Sequence, residues 1–124
     1  MASFSKLLLS TSLSGQATLI TATGFSPLTT GTTIHSGVAG SSSFDEVYLY
    51  ANNIAATDAI LIIQWGTVTS GNCFYNTIPA QAGRVLISDG RLINGGLSIY
   101  GLVSGATPQA CSGVAIDGYI NRIV

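Results

Sequence analysis

The sequence predicts an all-β protein: a single β-sandwich or jelly-roll-like domain of about eight short antiparallel strands, preceded by an extended N-terminal arm. Three observations predict it. Apolar and polar residues alternate with period two in runs bounded by Gly, Ser, Asn and Pro. No segment carries apolar residues at convincing helical spacing. The run 59–65, AILIIQW, is apolar on both faces, as a central strand covered from two sides must be.

The elements follow in order. Residues 1–16 form the arm. Leu7, Leu8, Leu9 and Leu13 would fit one helical turn, but the surrounding serines favour an extended chain, because their hydroxyls compete for backbone groups. A Leu-rich segment is a poor candidate for disorder. The arm is expected to add a strand, either to its own sheet or to a neighbouring subunit, with Leu7, Leu8 and Leu9 as contact residues. The sandwich domain spans 17–124. Residues 17–23 alternate, and in 32–38 Ile34 and Val38 share one face while His35 takes the other. Residues 44–51 point Val47, Leu49 and Ala51 inward and leave Glu46, Tyr48 and Tyr50 on the opposite side. The central strand 59–65 comes next, then 73–78, 84–88, 97–103 and 113–123. Asn94-Gly95-Gly96 marks a tight turn.

Charge is scarce. Four basic and five acidic side chains amount to 7% of the 124 residues, against roughly a quarter in an ordinary domain. Such a chain enters a membrane or works packed against neighbours. The aliphatic runs 7–9 and 59–63 fall far short of the roughly 20 residues a spanning helix needs. The N-terminus lacks the apolar stretch of an export signal, and the strands are mostly shorter than the roughly 10 residues of transmembrane-barrel strands. A net charge of −1 offers no footprint for a phosphate backbone. The expectation is therefore no membrane and no nucleic acid.

Catalytic chemistry is hard to assemble. His35 is the only imidazole, and a lone His on a strand's polar face is ordinarily solvated or hydrogen-bonded. Asp45 and Glu46 are adjacent, point to opposite faces and form no paired-carboxylate site. Asp58 and Asp89 are turn residues by type. Arg122 is expected to pair with Asp117 or to sit at an interface. Cys73 and Cys111 either form one disulfide or serve as small buried apolar residues; with one His they cannot supply about four zinc ligands. No cofactor, no metal and no enzymatic activity are expected. The aromatics Tyr48, Tyr50, Trp65, Tyr75, Tyr100 and Tyr119 either pack in the sandwich and its interfaces or form a sugar-stacking platform.

From residue 31 to 123 the motifs occur in an order that resembles small virion structural proteins of tailed bacteriophages, especially marine and cyanobacterial ones. The run GTTIHSGVAGSSSFDEVYLYANNIAATDAILIIQWG holds a His-containing strand, a DEV-x-L-x-A-x-N strand and an L-x-I-x-W-G strand. TIPAQAGRVLISDGRLINGGLSIYGLV and the ending GYINRIV continue the likeness. The first thirty residues carry none of it, and the cysteines and Ile99-Tyr100-Gly101 depart from the pattern. The resemblance implies a capsid decoration, or cement, subunit. Such a subunit is a compact β-sandwich, commonly a homotrimer, on the outer surface of a major capsid protein lattice in the virion. Under that implication Leu7, Leu8, Leu9, Tyr48, Tyr50, Trp65, Tyr100 and Arg122 are the interface candidates. The alternative is a tail or head-fibre component that binds carbohydrate or another receptor.

Overall fold

The computed structural model describes residues 3–24, 29–104 and 113–124. Among them are nine strands: β1 (Phe4–Leu8), β2 (Thr18–Leu19), β3 (Thr32–Ser36), β4 (Phe44–Asn53), β5 (Ala59–Gly66), β6 (Cys73–Ile78), β7 (Arg84–Ile93), β8 (Ser98–Ser104) and β9 (Val114–Ile123). A single 3-10 turn, Ser70–Asn72, closes the β5–β6 hairpin. The strands form two antiparallel sheets. The first runs β1-β9-β4-β7, with β2 also on β9; the second runs β3-β8-β5-β6.

The pairing order explains the architecture. β1 and β2 lie on the same edge of β9, at Leu8↔Tyr119 and Thr18↔Ile116, and act as one interrupted strand. The chain then pairs from the outside in: β1/β2 with β9, β3 with β8, β4 with β7, β5 with β6. One long hairpin wrapped over on itself produces this order, which is that of a double-sheet jelly roll. The all-β sandwich expected from the alternation is what forms.

Alternation decides which side chains are inside. Along β4, buried and half-buried positions alternate without a break from Phe44 to Asn53. β5 is buried on both faces as predicted: Leu61, Ile63 and Trp65 point between the sheets, and Ile62 and Gln64 are fully buried on the other side. The core between the sheets joins Ile34, Val47, Leu49, Leu61, Ile63, Ile78, Ile99, Val103, Ile116 and Ile120. Burying side chains of this size stabilises the fold by about 1.5–3 kcal/mol each relative to exposure.

The outer face of the second sheet, exposed at Tyr75 on its β6 edge, is covered over Ile62, Gln64 and Leu102. There the Gln64 side chain accepts from the N–H of Gly31 at 2.8 Å and donates to the Thr29 carbonyl at 2.5 Å. Gly31 lies so close to β8 that a Cβ would stand 2.4 Å from the Gly101 carbonyl oxygen, so no larger residue fits. The outer face of the first sheet carries no such cover among the described residues.

The expected N-terminal arm is not a separate appendage. β1 completes the protein's own sheet, the first of the two alternatives, and the boundary drawn at residues 16 and 17 falls in the loop between β1 and β2, which share one edge of β9. Residues 9–17 make an excursion from that edge opposite Gly118. Leu9 there enters the core at 2% exposure. The alternating run 17–23 is ladder-paired only at Thr18–Leu19 and at a bridge from Thr23 to Val103.

Candidate interaction face and a buried polar node

The open face of the first sheet is built by parity. Directly paired residues share a face, so Tyr48↔Tyr119, Tyr50↔Asp117 and Glu46↔Asn121 set a common row across β4 and β9. The rings of Tyr48 and Tyr119 stack with centroids 4.7 Å apart and planes 13° apart. Lys6 Nζ lies 4.4 Å from the Tyr119 centroid, and the Arg84 guanidinium lies 4.1 Å from that of Tyr50. Arg84 also meets Asp117 at 3.1 Å. That pair is exposed, so it fixes geometry more than it stabilises. Partial burial, then Glu46, Tyr119 and Asp89, push the Tyr48 phenol above its ordinary pKa and keep it protonated.

Exposed apolar side chains surround this aromatic centre: Phe4 and Leu8 on β1, Leu86 and Leu92 on β7. The charged groups, Lys6, Arg84, Glu46, Asp89 and Asp117, are few and of both signs. This is a broad, nearly neutral sheet face.

The candidate residues separate. Tyr48, Tyr50 and Leu8 lie on the open face. Leu7 is 39% exposed but pairs with Ile120 on the opposite side of the sheet. Leu9 and Trp65 are core residues and offer no interface. Trp65 donates its indole N–H to the Leu92 carbonyl at 3.1 Å, tying the second sheet to the first, and the Arg91 guanidinium covers its ring at 4.8 Å. A sugar has no access to that ring. Tyr100 is half-buried on the outer side of the second sheet, paired with Thr33 and Gln64, away from the tyrosine stack.

Arg122 is not on the open face either, and its partner is Asp45, not Asp117. Parity with Ile120 turns it inward, and its guanidinium forks onto the fully buried Asp45, Nε to Oδ1 at 2.8 Å and Nη2 to Oδ2 at 3.0 Å. The same carboxylate accepts from His35 Nε2 at 2.8 Å and from the Val38 N–H at 3.1 Å. Burial opposes ionisation of Asp45, but the hydrogen bonds from Arg122 and His35 and the charge of Arg122 outweigh it and hold its pKa below the usual carboxylate value. Asp45, in turn, raises that of Arg122.

His35 is buried to 1% exposure, not solvated. A register shift between Thr33 and His35 lets Ile34 and His35 both turn inward, which strict alternation forbids. Its Nδ1 accepts from the Ser10 backbone N–H at 3.0 Å, which places the ring proton on Nε2. The Ser10 hydroxyl points elsewhere, accepting from the Ser36 N–H at 2.7 Å. Ser10, His35 and Asp45 therefore lack the nucleophile-to-base hydrogen bond of a hydrolytic triad.

The remaining polar candidates are structural. Asp58 accepts from the Ala80 N–H at 2.9 Å. Asp89 lies within β7 rather than in a turn, beside a bulge at Gly90. The Cys73 thiol donates to the Thr69 carbonyl at 3.0 Å, and burial pushes its pKa up. Cys111, its possible disulfide partner, lies outside the described residues. An open depression of about 450 Å³ beside β6 and β7 is lined by Phe74, Ile87, Ser88, Asp89, Gly90 and Arg91. Among the described residues no three His, Cys, Asp or Glu side chains cluster as metal ligands, and no helix is long and apolar enough to cross a membrane.

Sequence reasoning missed the Asp45–Arg122 pair although its signal was present. Asp45 shares parity with Val47 and Leu49, and Arg122 with Ile116 and Ile120. Both had to face inward, and a buried carboxylate needs a cation.

The fold and face define a jelly-roll β-sandwich with one sheet covered at its central strand and one open, aromatic-centred sheet. Compared with known proteins, the chain matches no family model, no curated protein and no solved structure.

Proposed function

We propose that the protein is a structural virion component, a capsid decoration subunit. It attaches as a homo-oligomer, with a trimer favoured, to the outer surface of a major capsid protein lattice and stabilises the shell. The observation that carries this reading is the asymmetry of the sandwich. The central strand β5 of one sheet is buried on both faces, whereas the other sheet presents a nearly neutral face of stacked tyrosines and exposed leucines. Faces of that composition suit packing, because tyrosines contribute large area and few charges need to be desolvated. A contact of standard size buries about 1,600 Å² in total, and several such contacts on neighbouring capsomers must break together. The resemblance over residues 31–123 supplies the virion context.

The test is a binding assay on particles lacking the protein. Wild type is expected to bind and raise the temperature at which particles release their contents. Tyr48→Ala with Tyr119→Ala is expected to lose most of that binding while remaining folded. Full particle stability without the protein, or undiminished binding by the double variant, would count against this function or this face respectively.

A second reading is a fibre component that binds carbohydrate. The depression favours it, since Asp89 and Arg91 supply a carboxylate and a cation there, although the Arg91 guanidinium lies 5.4 Å from the Phe74 centroid and so already engages that ring. The tyrosines support it less, because their ring faces are taken by each other, by Lys6 and by Arg84. Glycan arrays probed with wild type and Asp89→Ala separate the readings; silence on every glycan removes the second.

A further inference from the structure

The only histidine of the chain is buried where it joins three strands to the excursion 9–17. Two of its contacts decide what a second proton would do. Nε2–H donates to Asp45, and Nδ1 accepts from the Ser10 N–H. An imidazolium carries N–H on both nitrogens and accepts from neither. Protonation at Nδ1 therefore sets one N–H against another at the present 3.0 Å, and the Ser10 contact cannot survive in place. The ionisable groups in contact are Asp45 from β4 and, through it, Arg122 from β9. From β8 the ladder partner is the apolar Ile99, and from the excursion the contact is the uncharged Ser10.

The excursion stores chain length. Between Leu8 and Thr18 it spans a gap on β9 that only Asp117 and Gly118 occupy. Ser10 and Thr11 pin it to β3: Ser10 through His35 and the Ser36 N–H, Thr11 through the Ile34 carbonyl. Beyond it β1 holds on by its ladder to β9 and buries none of its five side chains. Loosening the excursion thus loosens the tether of the whole N-terminal edge.

We propose that His35 is a proton-operated latch: neutral, it fastens residues 9–17 across the edge of the two sheets, and protonated, it releases them and frees Leu9 and β1 from the sandwich. The released state binds one proton more than the fastened one, so acid favours release, and the fastened fraction falls up to about tenfold per pH unit while only the released state is protonated. The device acts whatever the open face attaches to.

With one histidine, the experiment needs no assignment by mutation. The His35 imidazole nitrogen shifts of the full chain are followed by NMR from pH 8 to 4, beside the hydrogen-exchange protection of the Ser10 amide; Trp65 fluorescence reports the global fold. The expected result is the Nε2–H tautomer at pH 8. Ser10 protection then falls along the imidazole titration, by about tenfold per pH unit at its steepest, while Trp65 stays buried. In His35→Gln, whose amide does not titrate, Ser10 protection is expected to lose its pH dependence. Should that variant not fold, the wild-type titration alone decides. Titration of His35 with Ser10 protection unchanged overturns the proposal. So does an imidazole that remains neutral until the whole protein unfolds.

Discussion

The guanidinium of Arg122 forks onto the carboxylate of Asp45 across 77 residues of sequence, joining the last strand of the jelly roll to β4 inside the sandwich. Asp45 has no exposure, whereas Arg122 retains 30%. Removing the carboxylate charge leaves the cation partly hydrated but deprives His35 and Val38 of a strong acceptor. Asp45→Asn is expected to cost about 3 kcal/mol in urea unfolding. A loss under 1 kcal/mol would show that the pair contributes little.

Acid is expected to weaken the same node. The Asp45 carboxyl titrates below its ordinary value in the folded protein. Its contribution is therefore complete above the unfolded value of about 3.9 and disappears as pH falls through the lower folded one. Below about pH 4 the stability difference between wild type and Asp45→Asn should shrink as the carboxyl takes up its proton. Denaturant titrations at each pH measure it; a gap that widens in acid contradicts the assignment.

Trp65 is a structural residue. Phenylalanine in its place removes the N–H that reaches the Leu92 carbonyl and leaves that oxygen without this donor. Trp65→Phe is expected to cost about 1–2 kcal/mol. In the wild type, emission should be blue-shifted and little quenched by iodide, then shift red in one step on unfolding. Strong quenching of the native protein would place the ring outside the core.

Gly118 should tolerate no side chain. Its φ is +152°, and a Cβ would stand 1.9 Å from the Tyr48 carbonyl oxygen, a backbone atom of the neighbouring strand. Gly118→Ala is expected to cost about 3 kcal/mol or more. Unchanged thermal unfolding would mean that β4 and β9 lie farther apart here.

Asn76 invites a stabilising change. Its Nδ2 is buried and has no hydrogen-bond partner among the described residues. Asn76→Val removes the unpaired donor and suits a strand, so a gain of about 1 kcal/mol is expected from chemical denaturation. Destabilisation would reveal a partner for the amide.

Much of the fold was legible because strands were bounded by turn residues and patterned within. The central strand, the inward set of β4 and the Asn94 turn all follow from local sequence. The site was legible in pieces. Tyr48 and Tyr50 were placed on one face by parity, but their stacking and cation partners were not, since Tyr119, Lys6 and Arg84 come from three other strands. Trp65 and Leu9 were misplaced as interface residues. An apolar side chain near a strand end or loop gives no local sign of whether it faces neighbours or core.

The sequence by itself determined the class of structure and the sidedness of its strands, because successive side chains leave an extended backbone in opposite directions whatever surrounds it. Tertiary structure alone decided what that alternation could not carry. It chose the jelly-roll pairing order, the edge on which β1 rests, the bulge that turns His35 inward, and Arg122 rather than any other cation for Asp45. Each of these depends on which distant segments share a register, and one shifted residue reverses which side of the sheet a side chain occupies. Nine charges distributed along the chain look alike in sequence; burial made Asp45 and Arg122 into the pair that closes the sandwich.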